Sequence, residues 1–273
     1  MFRIAEWVNL LFFVILVLLA WARPLTRRQR MLASGIGLAG IGLSLAAAFS
    51  DALLSHAASS TVRDWLPAPL MLLVYWLSGC FFTEADEQFQ AKLQALDRWL
   101  LQPILGNPGV LKPGWLAALL ELAYLFCYAL VPLGVAVLYF AGKQQHVDAY
   151  WAIVLPSTYS CYVLLPFFQT YPPRLLESHD SREGQANGLV RTFNLAILDK
   201  ASITVNTFPS AHVAATMSSA FALMGQVPHF GVVFLIIAIG IAIGAVAGRY
   251  HYTADALLAT AIAGAVVLVR SAF

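Results

Sequence analysis

Charge is what this chain lacks most. Of its 273 residues only 11% are Asp, Glu, Lys or Arg, while 60% are hydrophobic. Water-soluble domains carry about 25% charged residues. So large a deficit leaves too little polar surface to face water and excludes an ordinary soluble globule. Cysteine is also scarce. Cys80, Cys127 and Cys161 all fall in apolar stretches at no metal-ligand spacing. That excludes a disulfide framework and a cysteine metal site, and the three read as small core hydrophobes. Tandem repeats and low-complexity tracts are absent. The net charge of +2 carries no case for a nucleic-acid partner, and none is expected.

What the chain has in abundance is apolar runs of 18 or more residues, each long enough to cross a bilayer as a helix. About eight are expected, near 5–22, 32–54, 65–83, 114–141, 148–170, 209–226, 229–248 and 251–271. A lipid-exposed backbone must satisfy its own hydrogen bonds, so all should be helical. The expected fold is an all-α, multi-pass transmembrane bundle. The first run has Glu6 beside Arg3 and no small-residue cleavage site before the basic cluster at 23–30, so it reads as a retained span rather than a leader. Residues 1–60 would be two accessory spans, and 61–273 a six-span core.

Two stretches break the apolar pattern. In 84–105, Phe89, Leu93, Leu96 and Leu100 are spaced as one helical stripe among Glu84, Asp86, Glu87, Lys92, Asp97 and Arg98. An amphipathic helix in the membrane interface is expected, with Trp99 and Trp115 at its end. Gly106-Asn107-Pro108-Gly109 should terminate it. Residues 171–208 form the long polar loop. Loops of that length are often functional, and this one runs into Phe208-Pro209-Ser210-Ala211-His212.

The chemistry concentrates in two strings. In Pro209-Ser210-Ala211-His212 the proline suits a helix's first turn. The N–H groups of Ser210 and its neighbours would then be helix-start donors able to hold a phosphate. His212, on the same turn, could pass a proton to a leaving oxygen. In Arg249-Tyr250-His251-Tyr252-Thr253-Ala254-Asp255, the histidine and the aspartate are four apart and would share a helix face. The carboxylate could fix the imidazole tautomer and leave the other ring nitrogen as a nucleophile. Arg249 offers a planar fork of donors for phosphate oxygens. Taken singly, each string also fits a helix start or a stabilising His–Asp pair. Both, however, open helices on the same membrane face, and ionisable groups at such positions are costly enough to point to function.

As an ordered pair, Phe208-Pro209-Ser210-Ala211-His212 and His251-Tyr252-Thr253-Ala254-Asp255 resemble the type 2 phosphatidic acid phosphatase superfamily. The form is similar to the branch of inositol phosphorylceramide and sphingomyelin synthases. The likeness extends more loosely over 95–273, through Asp97-Arg98-Trp99-Leu100 and Glu121-Leu122-Ala123-Tyr124. It implies that His251 forms a phosphohistidine, Asp255 orients it, and His212 serves as acid and then base. Ser210 and Arg249 would hold the phosphate, with no metal or other cofactor. Two departures stand out. The Lys-x6-Arg-Pro motif of the phosphatases is missing, and its nearest match is Tyr171-Pro172-Pro173-Arg174, with Phe167 where the lysine would be. The arginine expected six residues before the histidine is Ala245, and Arg249 stands closer instead. Arg174 could replace the missing motif's arginine, and Lys200 is a further candidate cation. Glu121, with Tyr124 and Tyr128 on its helix face, reads either as a structural pair or as a substrate contact. His179 and His229 read as loop or interface residues.

Twelve of the 16 lysines and arginines fall on the face that carries both strings. The positive-inside rule would make that face cytoplasmic, whereas the resemblance implies the opposite side, so orientation stays open. The function expected is an integral-membrane, metal-independent lipid phosphate phosphatase or phosphotransferase. The alternatives are a polyprenyl diphosphate phosphatase and a non-catalytic lipid-binding or transport protein. Head group, chain type, acceptor and oligomeric state have no signature in the residues.

Overall fold

The computed structural model describes residues 1–105, 114–176, 189–203 and 205–272, and what it describes is helical with no strand. The helices are α1 (Ile4–Ala22), α2 (Arg27–Ala48), α3 (His56–Trp65), α4 (Pro67–Gly79), α5 (Glu87–Leu105), α6 (Gly114–Leu125) and α7 (Cys127–Phe140), followed by α8 (Val147–Leu164), α9 (Pro173–Leu176), α10 (Leu189–Ala201), α11 (Ala211–Met224), α12 (Pro228–Ala247) and α13 (Thr253–Ala272). The break at 106–109, together with Glu177, His179, Asp180, Arg182 and Glu183, lies outside the described residues. The architecture is an α-helical bundle of membrane type.

Every expected apolar run coincides with helix, but not always with one straight span. Among the described residues, α1, α2, α12 and α13 are individually long and apolar enough to cross a bilayer. The run 114–141 is two helices, α6 and α7, bent by 57°. At the bend the hydrogen-bond ladder tightens to three-residue steps, with Phe126 N–H donating to Ala123 O and Ala129 N–H to Phe126 O, both at 3.0 Å. The run 65–83 shortens to α4, because Pro67 begins a new helix directly after α3. The run 32–54 begins earlier, at Arg27, where Thr26 and Gln29 form a capping box, and it ends at Ala48.

The core is organised around α11, which packs against α7, α8, α12 and α13. Its Ala, Ser and Thr content lets these neighbours approach closely. Ser218 and Ser219 satisfy their hydroxyls on the carbonyl of Ala215. The stacked glycines of α12 serve close packing: a Cβ on Gly244 would lie 2.5 Å from the carbonyl oxygen of Leu120 in α6. At 14 residues, α11 is about 21 Å long, short of the roughly 30 Å hydrocarbon core. Its start is Ala211, and residues 205–210 lead into it.

α1 is bound tightly to this core at the end away from that start. Asn9 accepts from the Tyr159 hydroxyl at 2.6 Å, and the Asp148 carboxylate caps the N–H groups of Ile4 and Ala5. The buried Arg63 guanidinium donates to both oxygens of Glu6, at 2.6 and 2.9 Å. Buried charges that pair in this way avoid the full desolvation cost.

α5 departs from its expected stripe. Leu93, Asp97 and Leu101 are the buried residues, while Leu96 is 39% exposed and Trp99 73%. The buried face is rotated by about one residue, and it carries an aspartate. The reason is a partner: Asp97 is drawn inward by groups on the segment before α13.

Candidate active site

That segment, Gly248 to Tyr252, is held from several directions. The N–H groups of Tyr250 and His251 both donate to Ala245 O, at 2.9 and 3.0 Å. Arg249 sits at φ 61°, a region that non-glycine residues seldom occupy. Its carbonyl accepts from Arg174 N–H at 3.0 Å. Asp97 then fastens both flanks. One carboxylate oxygen accepts from Arg249 Nη1 at 2.6 Å. The other accepts from Thr253 N–H at 2.8 Å and from the Thr253 hydroxyl at 2.6 Å.

His251 lies between those flanks. It precedes α13 rather than lying on it, so it shares no helix face with Asp255. The two still meet, because the Asp255 side chain turns back over the helix start, accepting from Tyr252 N–H at 3.0 Å. His251 Nδ1 lies 3.1 Å from Asp255 Oδ2 and 3.1 Å from the carbonyl oxygen of Thr207. Both neighbours are acceptors, so Nδ1 carries the proton and Nε2 presents its lone pair. Asp255 is fully buried.

Across the site stands His212, its ring centroid 6.0 Å from that of His251. The helix start differs from the expected one. α11 begins at Ala211, Ser210 is its N-cap, and Pro209 precedes the helix. The Ser210 hydroxyl accepts from Val213 N–H at 3.4 Å, and Ser210 N–H donates to Asp255 O at 3.3 Å. The backbone of the second string thus locks onto that of the first. Ser210 itself is fully buried, and the helix-start donors left to a ligand are those of Ala211 and His212. Tyr75, Tyr124 and Tyr128 surround the His212 ring at centroid distances of 6.0, 6.1 and 5.7 Å.

A cavity of about 40 Å³ joins these groups, with His212, His251, Arg174, Tyr124, Tyr250 and Asn206 in its wall. Arg174 is the cation of that wall, its guanidinium 5.7 Å from the Tyr250 ring centroid. Burial works against its charge and lowers its pKa. Arg249, expected to hold phosphate, is outside this wall and directs Nη1 to Asp97. Lys200 is exposed on α10, also outside the wall. His229 is exposed at the start of α12.

Glu121 is a structural hub in this geometry. It accepts from Arg191 at 2.6 Å, from Asn194 Nδ2 at 2.8 Å and from the Tyr250 hydroxyl at 2.6 Å. Tyr250 in turn stacks on Tyr124 at 4.3 Å, nearly parallel. Burial first, then the Glu121 charge, push the Tyr250 hydroxyl well above its ordinary pKa, so it remains a donor. Glu121→Ala should destabilise the protein by about 3–5 kcal/mol, because it removes the carboxylate that the largely buried Arg191, Asn194 Nδ2 and the Tyr250 hydroxyl all donate to. Tyr250→Phe, which loses one hydrogen bond to a charged group, should cost only about 1.5–3 kcal/mol. Thermal unfolding in detergent would check the order, and a larger loss for Tyr250→Phe would contradict it.

The protein is thus a helical bundle of membrane type that carries two histidines and an arginine around one cavity. In the comparison with protein families, the PAP2 superfamily model matches residues 91–269, and the chain belongs to that superfamily. Membership supports a lipid phosphatase-type enzyme acting on lipid in the membrane. No curated protein and no solved structure matched the chain.

Proposed function

We propose that this chain is a metal-independent lipid phosphate phosphatase or phosphotransferase that works through a phosphohistidine. The observation that carries this reading is His251 Nδ1 held between two acceptors, which leaves the lone pair on Nε2, in a residue that lines a cavity with His212 and Arg174. His251 Nε2 would attack phosphorus and form the N–P bond as the P–O bond to the lipid breaks. His212 would give its proton to the departing oxygen. A water or an acceptor hydroxyl would then attack the phosphohistidine, losing its proton to His212. Arg174 and the helix-start N–H groups of α11 would meet the charge that develops on the phosphoryl oxygens.

A lipid substrate is favoured by what adjoins the cavity. An apolar cleft of about 450 Å³ runs between α4, α7 and α11 and shares Tyr75, Tyr162, Ala211 and His212 with the polar cavity. A hydrocarbon chain lying there would deliver its phosphate to the histidines. Water as acceptor gives a phosphatase, and an alcohol gives a synthase of the kind the sequence resembles.

The purified protein in detergent should turn over members of a lipid-phosphate panel, polyprenyl diphosphates included, equally with and without EDTA. Free phosphate and new phosphodiester would be scored separately. Absence of turnover on every member, or activity abolished by EDTA, would contradict the proposal.

A further inference from the structure

One group in the cavity wall has no structural task. Asn206 is 7% exposed, yet among the described residues neither its side-chain Nδ2 nor its Oδ1 has a hydrogen-bond partner. Buried amides are almost always paired, because an unmade bond costs the full desolvation of each polar atom. The position is also strained. Asn206 sits at φ 70°, in the left-handed region that asparagine tolerates better than most residues. Its N–H donates to Thr170 O at 2.8 Å, which fixes the backbone while leaving the carboxamide unused. Strain and an unsatisfied polar group together mark places where a ligand completes the structure.

The neighbours indicate which ligand. Asn206 shares the cavity with Arg174, His212 and His251. It directly precedes Thr207, whose carbonyl helps to hold the His251 proton on Nδ1. A carboxamide there offers one donor and one acceptor side by side. A phosphoryl oxygen can only accept, and an attacking water or alcohol carries a proton to donate.

We propose that Asn206 is a substrate-binding residue that contacts both reacting partners. Nδ2–H donates to a phosphoryl oxygen, and Oδ1 accepts from the hydroxyl that enters to cleave the phosphohistidine. This rests on the phosphoryl-transfer reading of the site and adds to it a residue that aligns the second substrate. The carboxamide exchanges no proton in the reaction; it orients the hydroxyl whose proton His212 removes.

The test uses the full-length protein in detergent and inorganic phosphate as the probe. Asn206→Gly suits the positive φ and removes both prongs. Asn206→Asp keeps the shape, loses the donor and adds a charge that repels phosphate. Phosphate affinity, read from ligand-induced thermal shifts, should fall about 10-fold or more in the glycine variant and further in the aspartate variant. The unfolding temperature of Asn206→Gly without phosphate should equal or exceed that of the wild type, since no internal bond is lost. Wild-type phosphate affinity in Asn206→Gly, with or without a fall in unfolding temperature, would overturn the inference alone. Failure of the wild type to bind phosphate would overturn the phosphoryl-transfer reading and the inference with it.

Discussion

His251→Ala should yield a folded protein whose turnover of lipid phosphate falls by at least about 10³-fold, as expected when a covalent nucleophile is removed. Folding should survive, because Asp255 keeps its bond from Tyr252 N–H and Ser210 N–H keeps its bond to Asp255 O. The comparison that isolates the nucleophile is with His212→Ala. An acid matters most when the leaving oxygen is basic, as in a lipid alcohol, and least when it leaves readily, as in an aryl phosphate. Because His212 also serves as base in the second step, the contrast lies in the first turnover: His212→Ala should lose release of the lipid alcohol while retaining much of the first-turnover burst from an aryl phosphate, and His251→Ala should lose both. If the two variants lose the first turnover of the two substrates in equal proportion, the assignment of nucleophile and acid is wrong.

The second large effect is expected at Asp97, which touches neither histidine. Its carboxylate fastens Arg249 and Thr253, two residues on either side of His251. Asp97→Ala leaves a buried guanidinium without this partner, at a cost of about 3–5 kcal/mol. Turnover should fall about 10²-fold, because both anchors of the segment that carries His251 loosen and small misplacements at a reacting centre are that costly. Asp97→Asn keeps an acceptor for Thr253 but brings an amide N–H toward Arg249, so it should recover only part of the stability. Measured by thermal unfolding and by kcat, unchanged turnover in Asp97→Ala would show that this tether plays no part in placing His251.

The relation of sequence to site follows from the range of each interaction. The His251–Asp255 pairing is legible as a spacing of four, although the geometry that realises it is a turned-back side chain before α13 and not a shared helix face. His212 is legible because Pro-Ser-x-His opens an apolar run, even though the helix starts two residues later than the proline suggests. The all-helical membrane character is legible in composition alone. Asp97 is hidden by a contact across more than 150 residues of chain, and its charge assigns it to the solvated face of α5 by periodicity. The Thr207 carbonyl has no residue signature, since any amino acid supplies one. Asn206 stands four residues before Ser210 and is visible only once the cavity wall exists. Arg249 shows the limit most plainly. Its guanidinium suits phosphate by residue type, yet in the folded chain Nη1 is committed to a carboxylate.

The N-terminal third also acquires a role that composition does not reveal. α4, which precedes the family match, lines the apolar cleft through Met71, Leu72, Tyr75 and Trp76. α1 and α3 are tied together by the Glu6–Arg63 pair at the far end. The wall of the apolar cleft is thus built in part by a helix outside the matched region.

The most direct test of the account is to quench the enzyme during turnover of a radiolabelled lipid phosphate and ask where the label resides. The account predicts a protein-bound phosphoryl group that is lost in acid and kept in alkali, mapped to the peptide containing His251 and absent from His251→Ala. An acid-stable label, or one that persists in His251→Ala, would contradict it.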